Sequence, residues 1–499
     1  MRRIIAIALL CYPPALAADP LADLEKRIAK HTLANGMRIV VYERHEIPTF
    51  TGVVGVRVGG VDDPKGGTGL AHLFEHMAFK GTPAIGTLDF QKELDLMKQQ
   101  DVLVAQLQEA QRKRGVDPAQ VDEYRKRLKD LEDQQRRYIV KDEFFRVYTT
   151  AGAPGLAAMT TNDITLYTAS LPSNKLEMFF LMESERYKHP LLREFYTERD
   201  VVREERRMYD DTPRGKLEEE LYSAAFRAHP YHQPVVGWME DLDQLTREMA
   251  EEFRNEYYVP GNTVIALVGD VDTKTVIALA ERYFGDVPAA PLPPPITTLE
   301  PEQRGERHVE VEWDAEPEFL MGFHVPTFPQ RDAYVLTVIS EILADGRSSR
   351  LYDKLVKQAR VASSVSAEAR PGIRYEHLIM FSATPIAPAT TENVVAEIWK
   401  EIDRMKREPV TVEELQRRVN QAQARQIRVI ESNRFAFSLL AFELMFNDWS
   451  GFLKWDDIVA SVTPDEIMKV CRTYFQRQHC TVAEIVRPTR HTGEVSDEK

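Results

Sequence analysis

Two histidines and a glutamate fall within five positions of the stretch GLAHLFEHMAFKGT, residues 69–82. Residues four apart on a helix lie one turn apart on the same face, so His72 and His76 can aim their imidazoles at one point. A tetrahedral zinc site needs that convergence. Glu75 lies near the same face but next to His76, where it is poorly placed to chelate with both histidines. It is well placed to hold a water beside a metal. Zinc lowers the pKa of bound water to about 7, and a carboxylate within reach can take the proton and pass it to a leaving amine. Taken alone, this short motif fits two ordinary helix histidines equally well.

A catalytic zinc takes three protein ligands and keeps one position open. Candidates for the third lie in TERDVVREERRMYDD, residues 197–211. Glu198 and Glu205 are two helical turns apart and share a face, whereas Glu204 is rotated about 100° from Glu205. One of the pair would bind metal and the other would orient a ligand from behind. By itself this stretch also reads as a solvated charged helix.

The elements that must position these groups alternate along the chain. GMRIVVYER and FTGVVGVRVGG are β-branched and broken by glycine, so they read as strands ahead of the motif helix. TLYTASLP and NTVIALVGDVD read as further strands. KLEMFFLMESERYKH and EFYTERDVVREERRMYDD read as helices. Six prolines within residues 285–306 exclude regular structure and mark an interdomain linker. Beyond it, RHVEVEWD and EFLMGFHVP read as strands, and DAYVLTVISEILA and SSRLYDKLVKQ as helices. The order echoes the first half. The expected fold is α+β: two homologous domains, residues 22–284 and 307–490, each a largely antiparallel sheet flanked by helices. Residues 91–146 fit neither half. Leu96, Leu103, Leu107 and Ala110 form one apolar stripe, and Val121, Tyr124, Leu128, Leu131 and Tyr138 another, with a break at Gly115–Pro118. That pattern predicts a coiled-coil hairpin inserted in the first domain.

The first residues, MRRIIAIALLCYPPALAADP, have a basic start, a short apolar run and an Ala-Leu-Ala cleavage pattern. They read as a signal peptide over residues 1–18 and point to export to a periplasm, with membrane anchoring as the alternative. The run is too short to span a bilayer. A net charge of -14 argues against general nucleic-acid binding. An oxidising compartment would permit a bond between Cys471 and Cys480, which the sequence leaves open.

With these residues in view, the chain resembles the pitrilysin and mitochondrial processing peptidase family of inverted-motif (HxxEH) zinc metallopeptidases. GVRVGGVDDPKGGTGLAHLFEHMAFKGT, TTNDITLY, TERDVVREERRMYDD, NTVIALVGDVD and SSRLYDKL carry the resemblance. It implies one Zn2+ per chain held by His72, His76 and Glu205, Glu75 as general base, and Glu198 as the supporting carboxylate. It implies two halves facing each other as a clamshell, and peptide substrates bound as an extra strand on a sheet edge. Ala157, Ala158 and Met159 are the positions expected to meet substrate, with Ala157 where the family usually has asparagine. The family also completes its site with an arginine and a tyrosine seven apart. Here Val356 and Ser363 stand in those places. The expected partner is therefore a related zinc-free subunit supplying that pair, with a homodimer as the alternative. Two further readings stay open: a non-catalytic binding or assembly subunit of the same fold, and a processing peptidase for one dedicated precursor.

Overall fold

The computed structural model describes residues 20–113 and 117–488. The expected signal peptide, part of the expected hairpin break and the last residues of the second domain lie outside them.

Among the described residues, the strands form two sheets. The first comprises β1 (Ile28–Thr32), β2 (Arg38–Glu43), β3 (Thr49–Val56), β4 (Leu156–Thr160), β5 (Thr165–Pro172) and β6 (Thr263–Gly269), in the order β1-β2-β6-β3-β5-β4. The second comprises β7 (Arg307–Glu312), β8 (Phe319–Val325), β9 (Ala362–Arg370), β10 (His377–Pro385) and β11 (Cys480–Val486), in the order β7-β11-β8-β10-β9. With β1 set aside, the two orders are the same: first, last, second, fourth, third. In each sheet the first and last of these strands pair in parallel, and the remaining pairs are antiparallel. Shared topology of this kind is what a duplicated domain leaves behind.

The two domains do not face each other across a cleft, as a clamshell within one chain would require. They interlock. The helix Phe435–Phe446 of the second half lays Leu439, Leu440 and Leu444 against Val53, Val264 and Ala266 of the first sheet. The helix Pro213–Ala225 of the first half lays Leu217 and Leu221 against Leu320, Leu378 and Ala483 of the second sheet. Each sheet is apolar on both faces and its own helices cover one, so the other domain supplies the second layer.

The inserted segment differs from expectation at its base. Helices Phe90–Arg112 and Pro118–Gln135 do pack along each other, with Leu96, Leu103, Leu107, Ala110 and Val121 buried. But Glu93, Met97 and Gln100 of the first helix are buried in the domain itself. The hairpin ends at Gln135, and the helix Glu143–Thr150 returns Phe144 and Tyr148 to the core. The expected boundary at 146 therefore runs too far, because an amphipathic stripe does not reveal which partner covers it.

Residues 285–306 contain no helix or strand, yet they are strapped down. The Glu300 carboxylate accepts hydrogen bonds from the backbone N–H of Arg227, Ala228 and His229 at 2.9, 2.9 and 3.1 Å. Gln303 donates to the carbonyl of Cys480 at 2.7 Å. Cys471 and Cys480 are free buried thiols, and burial pushes Cys471 up to about 12.

A buried ion pair crosses the domain junction. Arg374 donates to both carboxylate oxygens of Asp62 at 3.1 and 3.0 Å, and Asp62 is nearly sealed from solvent. Burial raises the Asp62 carboxyl to about 6 despite this partner, so desolvation outweighs the attraction. Removing only the arginine strands a buried charge. Arg374→Met is expected to cost about 3–5 kcal/mol in urea denaturation of the full chain, and adding Asp62→Asn should recover most of that loss.

Candidate metal centre

The HxxEH segment is helical over Leu70–Met77, shorter than its sequence pattern. Its start is built by backbone chemistry. Gly69 adopts a left-handed conformation (φ 86°), and a Cβ there would lie 2.4 Å from the Val236 carbonyl oxygen. Only glycine fits such a turn without strain. The buried Asp63 carboxylate accepts from the N–H groups of Gly69 and Ala71, each at 2.8 Å, placing negative charge at the helix N-terminus. Leu70, Ala71, Leu73, Phe74 and Met77 bury one side of the helix in the core. His72, Glu75 and His76 are left on the other.

The second element is the helix Phe195–Asp210, anchored through Phe195, Tyr196 and Val202. It brings Glu205 Oε2 to 3.8 Å from His72 Nε2 and 3.7 Å from His76 Nε2. The three donor atoms all lie within 4.8 Å of one another. Donors around a tetrahedral zinc with bonds of 2.0–2.2 Å stand about 3.4 Å apart. The set is therefore slightly open, too wide for direct hydrogen bonds, and its chemistry of two imidazoles and one carboxylate suits a zinc ion.

Glu198 sits where its helical phase puts it. Its Oε1 is 3.0 Å from His76 Nδ1, which leaves Nε2 of that ring directed at Glu205. Lys80 Nζ lies 2.6 Å from the other Glu198 oxygen and 3.6 Å from Glu194. Burial alone would raise the Glu198 carboxyl, but the hydrogen bond to His76 and the Lys80 charge hold it at about 2. Burial would lower His76, yet the hydrogen bond and charge of Glu198 raise it overall. Metal uptake must compete with that proton. His72 lacks such a partner. Among the described residues its Nδ1 is buried without a hydrogen bond, and burial, with His76 alongside, lowers it to about 4.

Glu75 is half-buried beside this group. Burial raises its carboxyl above the usual range, opposed by a hydrogen bond from Thr160 Oγ1 to Glu75 Oε2 at 2.7 Å. Thr160 closes β4, an edge strand of the first sheet. Ala157, Ala158 and Met159 precede it on that strand, with Met159 49% exposed. The structure thus collects His72, Glu75, His76, Glu198 and Glu205 at one place and sets the edge strand beside them. Val356 and Ser363 are elsewhere. Val356 packs against the core of the second domain, and Ser363 is exposed on β9.

Sequence reasoning missed Thr160, Lys80 and Arg193. Lys80 is one turn beyond His76, a phase that could have signalled it. Arg193 is almost fully buried and has no such signal. Its guanidinium donates to Glu93 and to the carbonyls of Lys80, Thr82 and Ile85 at 2.7–3.2 Å.

The fold and site together define a two-domain α+β chain of the inverted-motif peptidase class. A family profile described as Insulinase (Peptidase family M16) matches residues 38–113 and 140–237, and one described as Peptidase M16 inactive domain matches 244–422. The first match breaks over the second helix of the hairpin. The chain belongs to the M16 (pitrilysin) peptidase family. It is 27% identical over 470 residues to the zinc protease PqqE of Helicobacter pylori, covering 90% of each chain. It is similar to the crystal structure of a protease from Helicobacter pylori, with a TM-score of 0.76 and 25% identity over 92% of this chain and 99% of that one. The fold also matches the periplasmic protease PqqL from Escherichia coli, with a TM-score of 0.69 and 14% identity over 92% of this chain and 48% of that one.

Thr160→Val removes the donor that lowers the Glu75 pKa. The Glu75 carboxyl should then titrate at higher pH than in the wild type. Any hydrolytic activity that needs it ionised should lose its acid limb at correspondingly higher pH, read from a pH–rate profile of the two proteins.

Proposed function

We propose that this chain is a zinc metalloendopeptidase acting on unfolded peptides or small proteins. The convergence of His72, His76 and Glu205 around one point, with Glu75 held next to it, carries the reading. A bound zinc ion would supply Lewis acidity, polarising a carbonyl and acidifying water. The chain's own residues do the rest. Glu198 orients His76 through Nδ1. Lys80 keeps Glu198 charged. Glu75, partly desolvated and restrained by Thr160, takes a proton from the attacking water and delivers it to the leaving amine. A peptide adding to the free edge of β4 would run past Ala157, Ala158 and Met159 toward Glu75.

Export to the periplasm fits the leader pattern of residues 1–18, the word periplasmic in the name of the Escherichia coli neighbour, and the finding that no described helix is long and apolar enough to cross a membrane. A partner chain fits the residues at 356 and 363, which cannot act as an arginine–tyrosine pair. The proposed assembly is a heterodimer with a related zinc-free subunit, a homodimer being the other arrangement. A non-catalytic role has less support, because the four motif residues are present and converge.

Metal analysis separates the roles. Glu75→Gln should retain one zinc per chain and lose about 10²–10⁴-fold in hydrolysis of a quenched peptide, whereas Glu205→Gln should lose the metal itself. A wild type that takes up no zinc would sink the reading. Size-exclusion chromatography with activity assays tests the partner: the isolated chain is expected to be weakly active, and full activity from a pure monomer or homodimer would refute the heterodimer.

A further inference from the structure

On the face of the first sheet opposite the metal centre, beyond the helix Phe435–Phe446, lies a cavity of about 350 Å³. Small-ligand pockets start at about that size. Its walls are almost wholly apolar and built around an aromatic array. Trp455 stands 4.9 Å from Phe328 and 6.1 Å from Phe442 between ring centroids, and Phe442 stands 5.6 Å from Phe446.

One group in the lining has no counterpart. Asp456 is 4% exposed, and its Oδ2 has no hydrogen-bond partner among the described residues. The cation lining the same cavity is already engaged: Arg425 lies 2.7 Å from Glu341 and 3.6 Å from Asp345. Arg425 is thus committed to Glu341 and Asp345, and Asp456 has no cation within ion-pair distance among the described residues. A buried carboxylate without a partner is costly. Aromatic faces beside it attract cations and cover apolar bodies.

We propose that this cavity is a binding site, separate from the metal centre, for a small amphipathic cation: a compact hydrocarbon or aromatic body carrying an ammonium group. The body fills the space between Phe328, Phe442, Phe446 and Trp455, and the ammonium pairs with Asp456. A neutral ligand of the same shape would gain the apolar contacts and leave the carboxylate unpaired.

Isothermal titration calorimetry of the full chain with 1-adamantylamine, cationic at neutral pH, and with neutral 1-adamantanol reads both halves of the proposal. The amine is expected to bind saturably and about tenfold tighter than the alcohol. The near-isosteric Asp456→Asn should erase that preference, and Ala441→Phe, which fills the cavity, should abolish binding of both, with folding of each variant checked by circular dichroism. Equal affinity for the two compounds, a preference that survives Asp456→Asn, binding undiminished in Ala441→Phe, or no saturable binding of the amine to wild type would each overturn it. Should Asp456→Asn fail to fold, the amine–alcohol comparison on wild type and Ala441→Phe still decides.

Discussion

The candidate centre depends on one buried guanidinium. Its ligands come from two helices far apart in sequence. Glu198 ties them together at the site through His76 and Lys80, and Arg193 ties them at their roots. It sits two residues before the Glu205 helix and donates into the loop that follows the His76 helix, while its charge is met by Glu93 at the root of the hairpin. The loop has no room for side chains there. A Cβ on Gly86 or Gly81 would fall 2.1 or 2.9 Å from the Arg193 Nη1, and both glycines are left-handed. The Gly-Thr-Pro-Ala-Ile-Gly run after the motif is thus a cradle for an arginine. Buried ion pairs add little net stability but fix geometry when every donor is satisfied. Here the pair joins the loop after the His76 helix to the start of the Glu205 helix.

The same knot explains why the hairpin is rooted in the domain. Gln135 donates to Glu93 at 3.1 Å, Gln100 donates to Gln135 at 2.9 Å, and Arg247 donates to Gln100 and Asp101. The first hairpin helix therefore belongs to the framework of the metal centre. The second helix, over which the family match breaks, joins this network through Gln135 at its last residue.

Local pattern made much of this legible. TLYTASLP is a strand from its first residue to its last, and the seven-residue phase of Glu198 and Glu205 matches the structure, which turns both carboxylates toward the motif histidines. The echo of element order in the two halves pointed to related domains, and the strand orders of the two sheets agree with it. What stayed hidden was long-range. Thr160 reads as one more β-branched strand residue until the register of β4 on β5 sets it beside Glu75. The interlocking of the domains was hidden for the same reason. A helix such as Phe435–Phe446, apolar nearly all round, shows that it is buried, but not that one face meets the first sheet and the other lines a cavity of its own.

Duplication also shows what sets the first domain apart. The helix Arg331–Ala344 follows β8 as the motif helix follows β3. It carries no histidine, and Val335, Leu336, Val338, Ile339, Ile342 and Leu343 are all buried. The second copy spends this helix on packing. The other described group of potential metal donors, His308, Glu310 and Glu484, lies on β7 and β11, away from that position. The free edges differ in kind as well. β9 carries exposed Ser363, Ser364 and Ser366 with a Glu368–Arg370 pair, polar cover of the sort that keeps edge strands from pairing. β4 occupies the matching edge of the first sheet, and its exposed residues are Ala157 and Met159. An uncharged edge is a liability unless something is meant to pair with it, and this one ends at the threonine that holds Glu75.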